Sequence, residues 1–444
     1  MLVTPARAAL VKIGALGIAG VVTLGLLSGC SSSSNEESSD SGEPSGTLNV
    51  LVASADASDT AFKQLNEDFE AKYPDVTVEF SSVPNNDFNA ARSSRLTAGN
   101  LDVTLASPRE VPSFVTGAVA TDDNTAADAG LFTDLSNEEF LKNFTPSVID
   151  SLKYDGKSYT VPTGLSYYTG VFYNKDMFKK NNIEVPTTWS EFQDAAAKLQ
   201  DAGVAPLGIG GKDGWPAGLT MIASVQSLYP TADDKETLAK DLWAKDASLS
   251  QGTQLEVLKR VQSLYDMGQE NFAGVAYNAI PAAFANGQVA MTVDGTWDQT
   301  TIDQAVAQKF EYGYFPLPAS DNASDNTTLG GKVELRMALP TSSKNKTAAM
   351  AYLDFFSTPT EYKKFVATTG FAPAQPNIPS SDFLQSIDQY TKTFSPAWDQ
   401  VWTPNSTAGQ AAAFPFNYSA VSPLGTSSAD EAAKASQSAW TAGG

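Results

Sequence analysis

Two apolar runs with an amphipathic stretch between them constrain this chain more than any other feature. Residues 48–54 read as a buried strand and residues 76–80 as another. Between them Phe62, Leu65, Phe69 and Tyr73 recur at helical spacing, with Asp59 placed as an N-cap and Pro74 as the stop. Strand, helix and strand in that order predict a βαβ unit, because parallel neighbours need a crossover that packs back on the sheet. The same grammar returns downstream. Thr188 and Glu191 have the spacing of a capping box, with Phe192, Ala195, Ala196 and Leu199 following on one face. Leu255, Leu258, Val261 and Tyr265 mark another helix, and residues 289–293 a short strand set off by Asn286 and Gly287. Ala348, Ala349, Tyr352, Leu353 and Phe356 mark a late helix ended by Pro359. The chain reads as α/β throughout, and 444 residues with 42% hydrophobic content suffice for two sizeable cores.

Composition removes whole classes of chemistry. There is no histidine, and the single cysteine is Cys30. Ser-His-Asp triads, Cys-His pairs, His-ligated metals and thiol redox centres each lack an essential residue, and no disulfide can form within the chain. Against 29 Lys and Arg stand 50 Asp and Glu, a formal charge of -21. That balance repels phosphate backbones and argues against a nucleic-acid partner; it also serves solubility. No cofactor or metal is expected. The loop from Gly210 to Trp215 lacks the spacing of a phosphate cradle, and residues 321–325 lack the closing glutamate of a calcium loop.

Arg7 and Lys12 precede residues 13–27, fifteen residues without a charge, and then Ser28, Gly29 and Cys30. A membrane-crossing helix needs about 20 apolar residues, so the run suits the core of a signal peptide. Leu27-Ser28-Gly29-Cys30 resembles the bacterial lipobox. That resemblance implies a signal peptide over 1–29, lipidation of the Cys30 thiol, and cleavage that leaves Cys30 as the mature N-terminus. An uncleaved anchor with an unmodified cysteine is the competing reading. Residues 31–45 are rich in Ser, Glu and Asp, so 30–46 reads as a lipidated cysteine and flexible tether.

At Tyr154-Asp155-Gly156-Lys157-Ser158-Tyr159-Thr160-Val161-Pro162 a run of motifs begins. Phe172-Tyr173-Asn174-Lys175-Asp176-Met177-Phe178, Pro186-Thr187-Thr188-Trp189 and Phe284-Ala285-Asn286-Gly287-Gln288-Val289-Ala290-Met291 follow, then Gly295-Thr296-Trp297, Phe315-Pro316-Leu317-Pro318 and Ser343-Lys344-Asn345-Lys346. Together, in this order, they resemble the extracellular solute-binding proteins of carbohydrate ABC importers, of which the maltose-binding type is the best known. The resemblance implies a two-lobed periplasmic-binding-protein fold, type II-like, with a ligand cleft between lobes joined by crossing segments. Those crossings would lie near residues 164–168, 319–330 and 370–375. Lobe 1 would then comprise 47–163 plus 329–370, and lobe 2 164–328 plus 371–444. Gly164, Gly330 and Gly370 could serve as hinges or as plain turns. The implied partners are a carbohydrate, ABC permease subunits and the membrane reached through Cys30, with the protein acting as a monomer on the extracellular or periplasmic face.

A sugar offers hydroxyls and apolar C–H faces, so its site needs carboxylates and flat rings. The resemblance puts Trp297 first, presented after Gly295 where the family places a ligand-facing tryptophan. Trp215 and Asp213 sit in the glycine-rich loop after an apolar strand at 207–209. Tyr167 and Tyr168 lie in the first crossing, with Tyr167 preferred. Asp56 follows the first strand, and Asp102 matches a family aspartate near the cleft floor. Glu334 and Arg336, at i and i+2, are read as sharing one strand face and forming a bridge that meets the ligand, or a solvated edge pair. Trp398 and Trp402 are read as core. Ala106 and Arg109 replace an aromatic and an acid of maltodextrin binders, which argues against a maltose-like site.

Three other readings compete. The same fold could take a sugar acid, polyamine, peptide or inositol, and Arg109 or Arg336 would suit an acid. An anchored glycoside hydrolase would need two carboxylates about 5–10 Å apart, but the resemblance is to non-catalytic binders and no enzyme is expected. A scaffold with no small ligand would lack a cleft.

Overall fold

The computed structural model describes residues 42–116 and 121–443. Cys30 and its lipobox lie outside the described residues. The strands, in chain order, are β1 (Gly46–Ala53), β2 (Val76–Val83), β3 (Val103–Leu105), β4 (Gly164–Tyr167), β5 (Gly170–Asn174), β6 (Ala205–Gly208), β7 (Val289–Asp294), β8 (Tyr312–Pro316), β9 (Gly330–Glu334), β10 (Met337–Ala338) and β11 (Ser395–Pro396).

The first sheet has the order β10-β3-β1-β2, with β1 parallel to both neighbours and β10 antiparallel to β3. Leu48, Val50, Leu51 and Val52 are all fully buried, as a central parallel strand covered on both faces requires. The helix Asp56–Lys72 covers it with Phe62, Leu65 and Phe69. This helix starts three residues before the expected cap. Its N-cap is Ala55, and the Asp59 carboxylate instead accepts hydrogen bonds from the Ser54 and Ser82 hydroxyls, tying together the ends of β1 and β2. The Asp59 cap is therefore corrected: two serines at the strand ends compete successfully for its oxygens. The core around this sheet takes residues from 48–161 and again from 337–374, with Phe371 and Ala374 still packed into it.

A second sheet, β6-β7-β5-β8, carries the other body, where β7 is buried along its whole length. Helix Trp189–Asp201 begins with the capping box read from the sequence, Thr188 and Glu191 each bonding the other's backbone N–H. Trp398 and Trp402 stack at 5.4 Å deep in this body, at most 1% exposed, and Trp243 and Trp440 join them.

Between the bodies runs a third sheet, β11-β9-β4. Strands β4 and β9 are antiparallel, pairing Gly164 with Glu334 and Ser166 with Lys332, and Leu165 bridges Ala372. Gly164 belongs there on steric grounds, since a Cβ would come within 2.6 Å of the Phe371 Cβ. Gly370 caps the helix Pro359–Thr369 in the left-handed conformation, which accounts for it as a turn residue. Leu335, between β9 and β10, has φ of +33°, a conformation disfavoured for any residue with a side chain.

Candidate functional site

The third sheet faces a cleft of about 610 Å³. Its walls come from the carboxyl end of β1 (Ser54 to Ser58), from the loop and helix starting at Trp215, from residues 276–281, and from Trp297 and β9. Ligand crevices in open α/β sheets lie at the carboxyl ends of strands, and this one does.

Trp297 stands at the centre. Its indole Nε1 donates to the Tyr277 hydroxyl at 2.8 Å, and that hydroxyl donates to Asp294 Oδ1 at 3.1 Å. The Tyr168 ring lies 5.2 Å away, the Trp215 ring 6.3 Å, and Lys332 Nζ sits 4.9 Å over the indole. Trp215 in turn meets Tyr277 at 4.6 Å. Gly295 lies beneath the indole, where a Cβ would strike the ring, so its absence lets the ring fold back against the backbone. Asp213 does not point freely into the cleft; its Oδ2 accepts from the Tyr277 backbone N–H at 2.7 Å, fixing the tyrosine. Asp56, Asp298, Glu334 and Asp399 complete the lining with carboxylates. Glu334 is held by Ser166 Oγ and by Lys332 Nζ at 3.2 Å, and Asp399 Oδ1 by the Tyr168 hydroxyl at 2.6 Å.

Beneath Trp297 lie two buried acids. Burial pushes Asp294 up to about 7, and burial followed by the Asp294 charge pushes Asp298 well above the usual carboxylate range. Burial likewise raises the hydroxyls of Tyr168 and Tyr277, so both stay protonated donors.

Of the residues singled out from the sequence, Trp297, Trp215, Tyr168, Asp56, Asp213 and Glu334 line the cleft. Tyr167 does not. It packs under the sheet beside Phe172 and Tyr314, 7% exposed, because alternation sends 166 and 168 to one face and 165 and 167 to the other. The preference for Tyr167 over Tyr168 is thus reversed. Asp102 is also placed elsewhere. It precedes β3, at the end of the sheet away from the crevice, and accepts from Asn49 N–H at 2.8 Å and from Ser343 Oγ at 2.6 Å. Glu334 and Arg336 form no bridge. Strand β9 ends at Glu334 and the chain turns at Leu335, so the two side chains border one cavity without meeting.

Sequence reading missed Tyr277, Lys332, Asp399, Phe371, Phe414 and Tyr418, all in the lining. Lys332 alone carried a signal, two positions before Glu334 on an extended strand. Arg109 proves to be a strap: Nη1 donates to the Asp399 and Gln400 carbonyls at 3.0 Å and Nη2 to the Trp402 carbonyl at 2.6 Å. Its own backbone is clamped by Asn124 on both N–H and C=O. Among the described residues no three acidic or cysteine side chains are grouped to hold a metal ion.

Two separately cored α/β bodies, joined by crossing strands over an aromatic and acidic cleft, define a solute-binding protein of the two-lobed kind. The chain belongs to the bacterial extracellular solute-binding protein family, whose model matches residues 53–363. It is 26% identical over 362 residues to the multiple sugar-binding protein of Streptococcus mutans, covering 81% of each chain. Among solved structures it resembles RafE of Streptococcus pneumoniae in complex with raffinose, with a TM-score of 0.72 and 22% identity over 89% of this chain and 99% of that one. A Bacillus licheniformis sugar transporter in complex with stachyose gives 0.71 and 16% identity over 88% and 98%. Among the described residues no helix is long and apolar enough to cross a membrane.

Proposed function

We propose that this protein captures a carbohydrate outside the cell membrane, closes two lobes around it and delivers it to the permease subunits of an ABC importer. The observation that carries the reading is the convergence of Trp297, Trp215, Tyr168 and Tyr277 with Asp56, Glu334 and Asp399 on one cleft. Rings cover the C–H faces of a sugar, and charged acceptors take its hydroxyls at about 1.5–3 kcal/mol each where buried. Relatives named for sugar binding point the same way.

The lobes are 47–163 plus 329–378 and 164–328 plus 379–444, the last boundary moved from 370 because Phe371, Ala374 and Ile378 pack against the first core, with β4, β9 and the segment at Ala372 as the crossings. Contact with both lobes stabilises the closed form, since only differential affinity shifts such an equilibrium. The protein acts as a monomer, held to the membrane by lipid on Cys30 through the tether that follows. Its task is capture without catalysis. Asp294, 1% exposed and bonded to Tyr277 and Gly295, is an internal support for Trp297 and out of a glycosidic bond's reach.

A thermal-shift screen against mono- and oligosaccharides, polyamines and peptides tests this. A ligand at 100 times its Kd adds about 2.7 kcal/mol of stability, a rise of roughly five degrees for a protein of this size. Silence across the sugars with a response to a polyamine or peptide overturns the reading, and new reducing ends after incubation with oligosaccharides overturn the non-catalytic part.

A further inference from the structure

One buried cation plays no part in the aromatic cleft. Arg336 is 9% exposed, and among the described residues its guanidinium makes no hydrogen bond or ion pair. It faces a second cavity of about 390 Å³, bounded also by Phe88, Arg92, Arg109, Asp123 and Gln400. This cavity shares Lys332, Glu334, Leu335 and Asp399 with the cleft, so the two adjoin.

Four cations meet there, and two are already neutralised. Arg92 is paired with Asp123 and donates to the Leu105 carbonyl at 2.7 Å, and Lys332 is paired with Glu334. Arg109 is engaged by neutral carbonyls only. Asp399 already accepts from Tyr168 and Gln400. Arg336 is left beside Arg109 with no direct partner, and burial followed by that neighbouring guanidinium pushes it down to about 10, against the weaker opposing charges of Asp123 and Glu334. A buried guanidinium without a partner is costly, and an oxyanion meeting its planar fork removes the cost. The second cavity sets four cations, Arg92, Arg109, Lys332 and Arg336, against three carboxylates, Asp123, Glu334 and Asp399, whereas the far end of the cleft carries Asp56 and Asp213 and, among the described residues, no cation, so an anion is favoured at the Arg336 end.

We propose that this cavity is an anion subsite of the cleft, and that the cargo is an acidic carbohydrate whose carboxylate, phosphate or sulfate meets Arg336 while its rings lie against Trp297 and Tyr168. This rests on the reading of the cleft as a sugar site.

The test is calorimetric titration of the purified protein with matched pairs: cellobiose and cellobiouronic acid, xylotriose and its methylglucuronate-bearing form, galactobiose and digalacturonate, glucose and glucose 6-phosphate, with sodium sulfate alone as a further arm. The expected result is one acidic sugar binding about ten- to a hundredfold more tightly than its neutral partner. That preference disappears in Arg336→Met, is largely kept in Arg336→Lys, and weakens with added sodium chloride in the unaltered protein even if Arg336→Met fails to fold. Equal binding within every pair overturns the anion subsite and leaves the sugar reading standing. Silence of all sugars overturns both. Sulfate binding that Arg336→Met abolishes, without preference for any acidic sugar, overturns the sugar-borne anion in favour of a free one.

Discussion

Replacing Trp297 with alanine removes the largest ring surface in the cleft while leaving its neighbours in place. The indole is half-buried, with one side against Gly295 and both cores and the other toward the cavity. A tryptophan buries about 150–250 Å² in full, so a sugar ring covering one face removes roughly 60–100 Å² of apolar surface from water. At about 25 cal/mol per Å² that is ~1.5–2.5 kcal/mol, and lost dispersion contact brings the total to about 2–3 kcal/mol. The expected outcome is a Kd about 30- to 150-fold weaker. Trp297→Phe keeps a ring face but loses the bond to Tyr277, and the expected loss is about three- to tenfold. Titration calorimetry with the sugar giving the largest thermal shift measures both, and circular dichroism confirms the fold, since the cavity beneath the missing indole also lowers the melting point. A folded Trp297→Ala protein that binds within twofold of the original refutes the stacking argument.

Three further outcomes are expected. The carboxyls of Asp294 and Asp298 have raised pKa values in the folded state, so they favour folding fully below about pH 4, and the contribution of Asp294 is lost as pH rises through about 7. Asp294→Asn should therefore flatten the fall in melting temperature between pH 5 and pH 8, and an unchanged slope counts against the buried pair as its source. Arg109→Met removes the donors to the Asp399, Gln400 and Trp402 carbonyls; small-angle scattering should then show a larger ligand-free radius of gyration, and any ligand should bind about tenfold more weakly. Cys30→Ser should abolish palmitate labelling and release the protein from the membrane fraction, whereas retention in that fraction refutes lipid anchoring.

Much of the architecture was legible because it follows from periodicity. The helix bearing Phe62, Leu65 and Phe69, the capping box at Thr188 and Glu191, and the buried strand Val289–Asp294 are all local signals with tertiary support. Half of the cleft was legible as well, since Trp297, Trp215 and Asp56 each follow a strand end. What failed was face and partner. Tyr167 and Tyr168 are adjacent and chemically identical, and only the register of β4 against β9 decides which one sees the cavity. Asp102 looks like a site acid until its contacts with Asn49 and Ser343 are known, nearly 300 residues apart in sequence. Glu334 and Arg336 border one cavity but form no ion pair, and the backbone turn at Leu335 that keeps them apart is invisible to a rule that assumes an unbroken strand. Tyr277 and Asp399 sit in irregular segments, where no period marks them.

The alternation along the crossing strands has a consequence for how such a protein can diversify. Tyr168, Lys332 and Glu334 look into the cavity, while Leu165 and Tyr167 hold the sheet to the body beneath. Recognition and cohesion are thus written on alternate residues of one short ribbon. Substitutions at the first set can drift from one cargo to another without disturbing the second, so a lineage can change its diet while keeping its skeleton. An engineer wishing to retarget the protein should randomise every other position there and leave the intervening ones untouched.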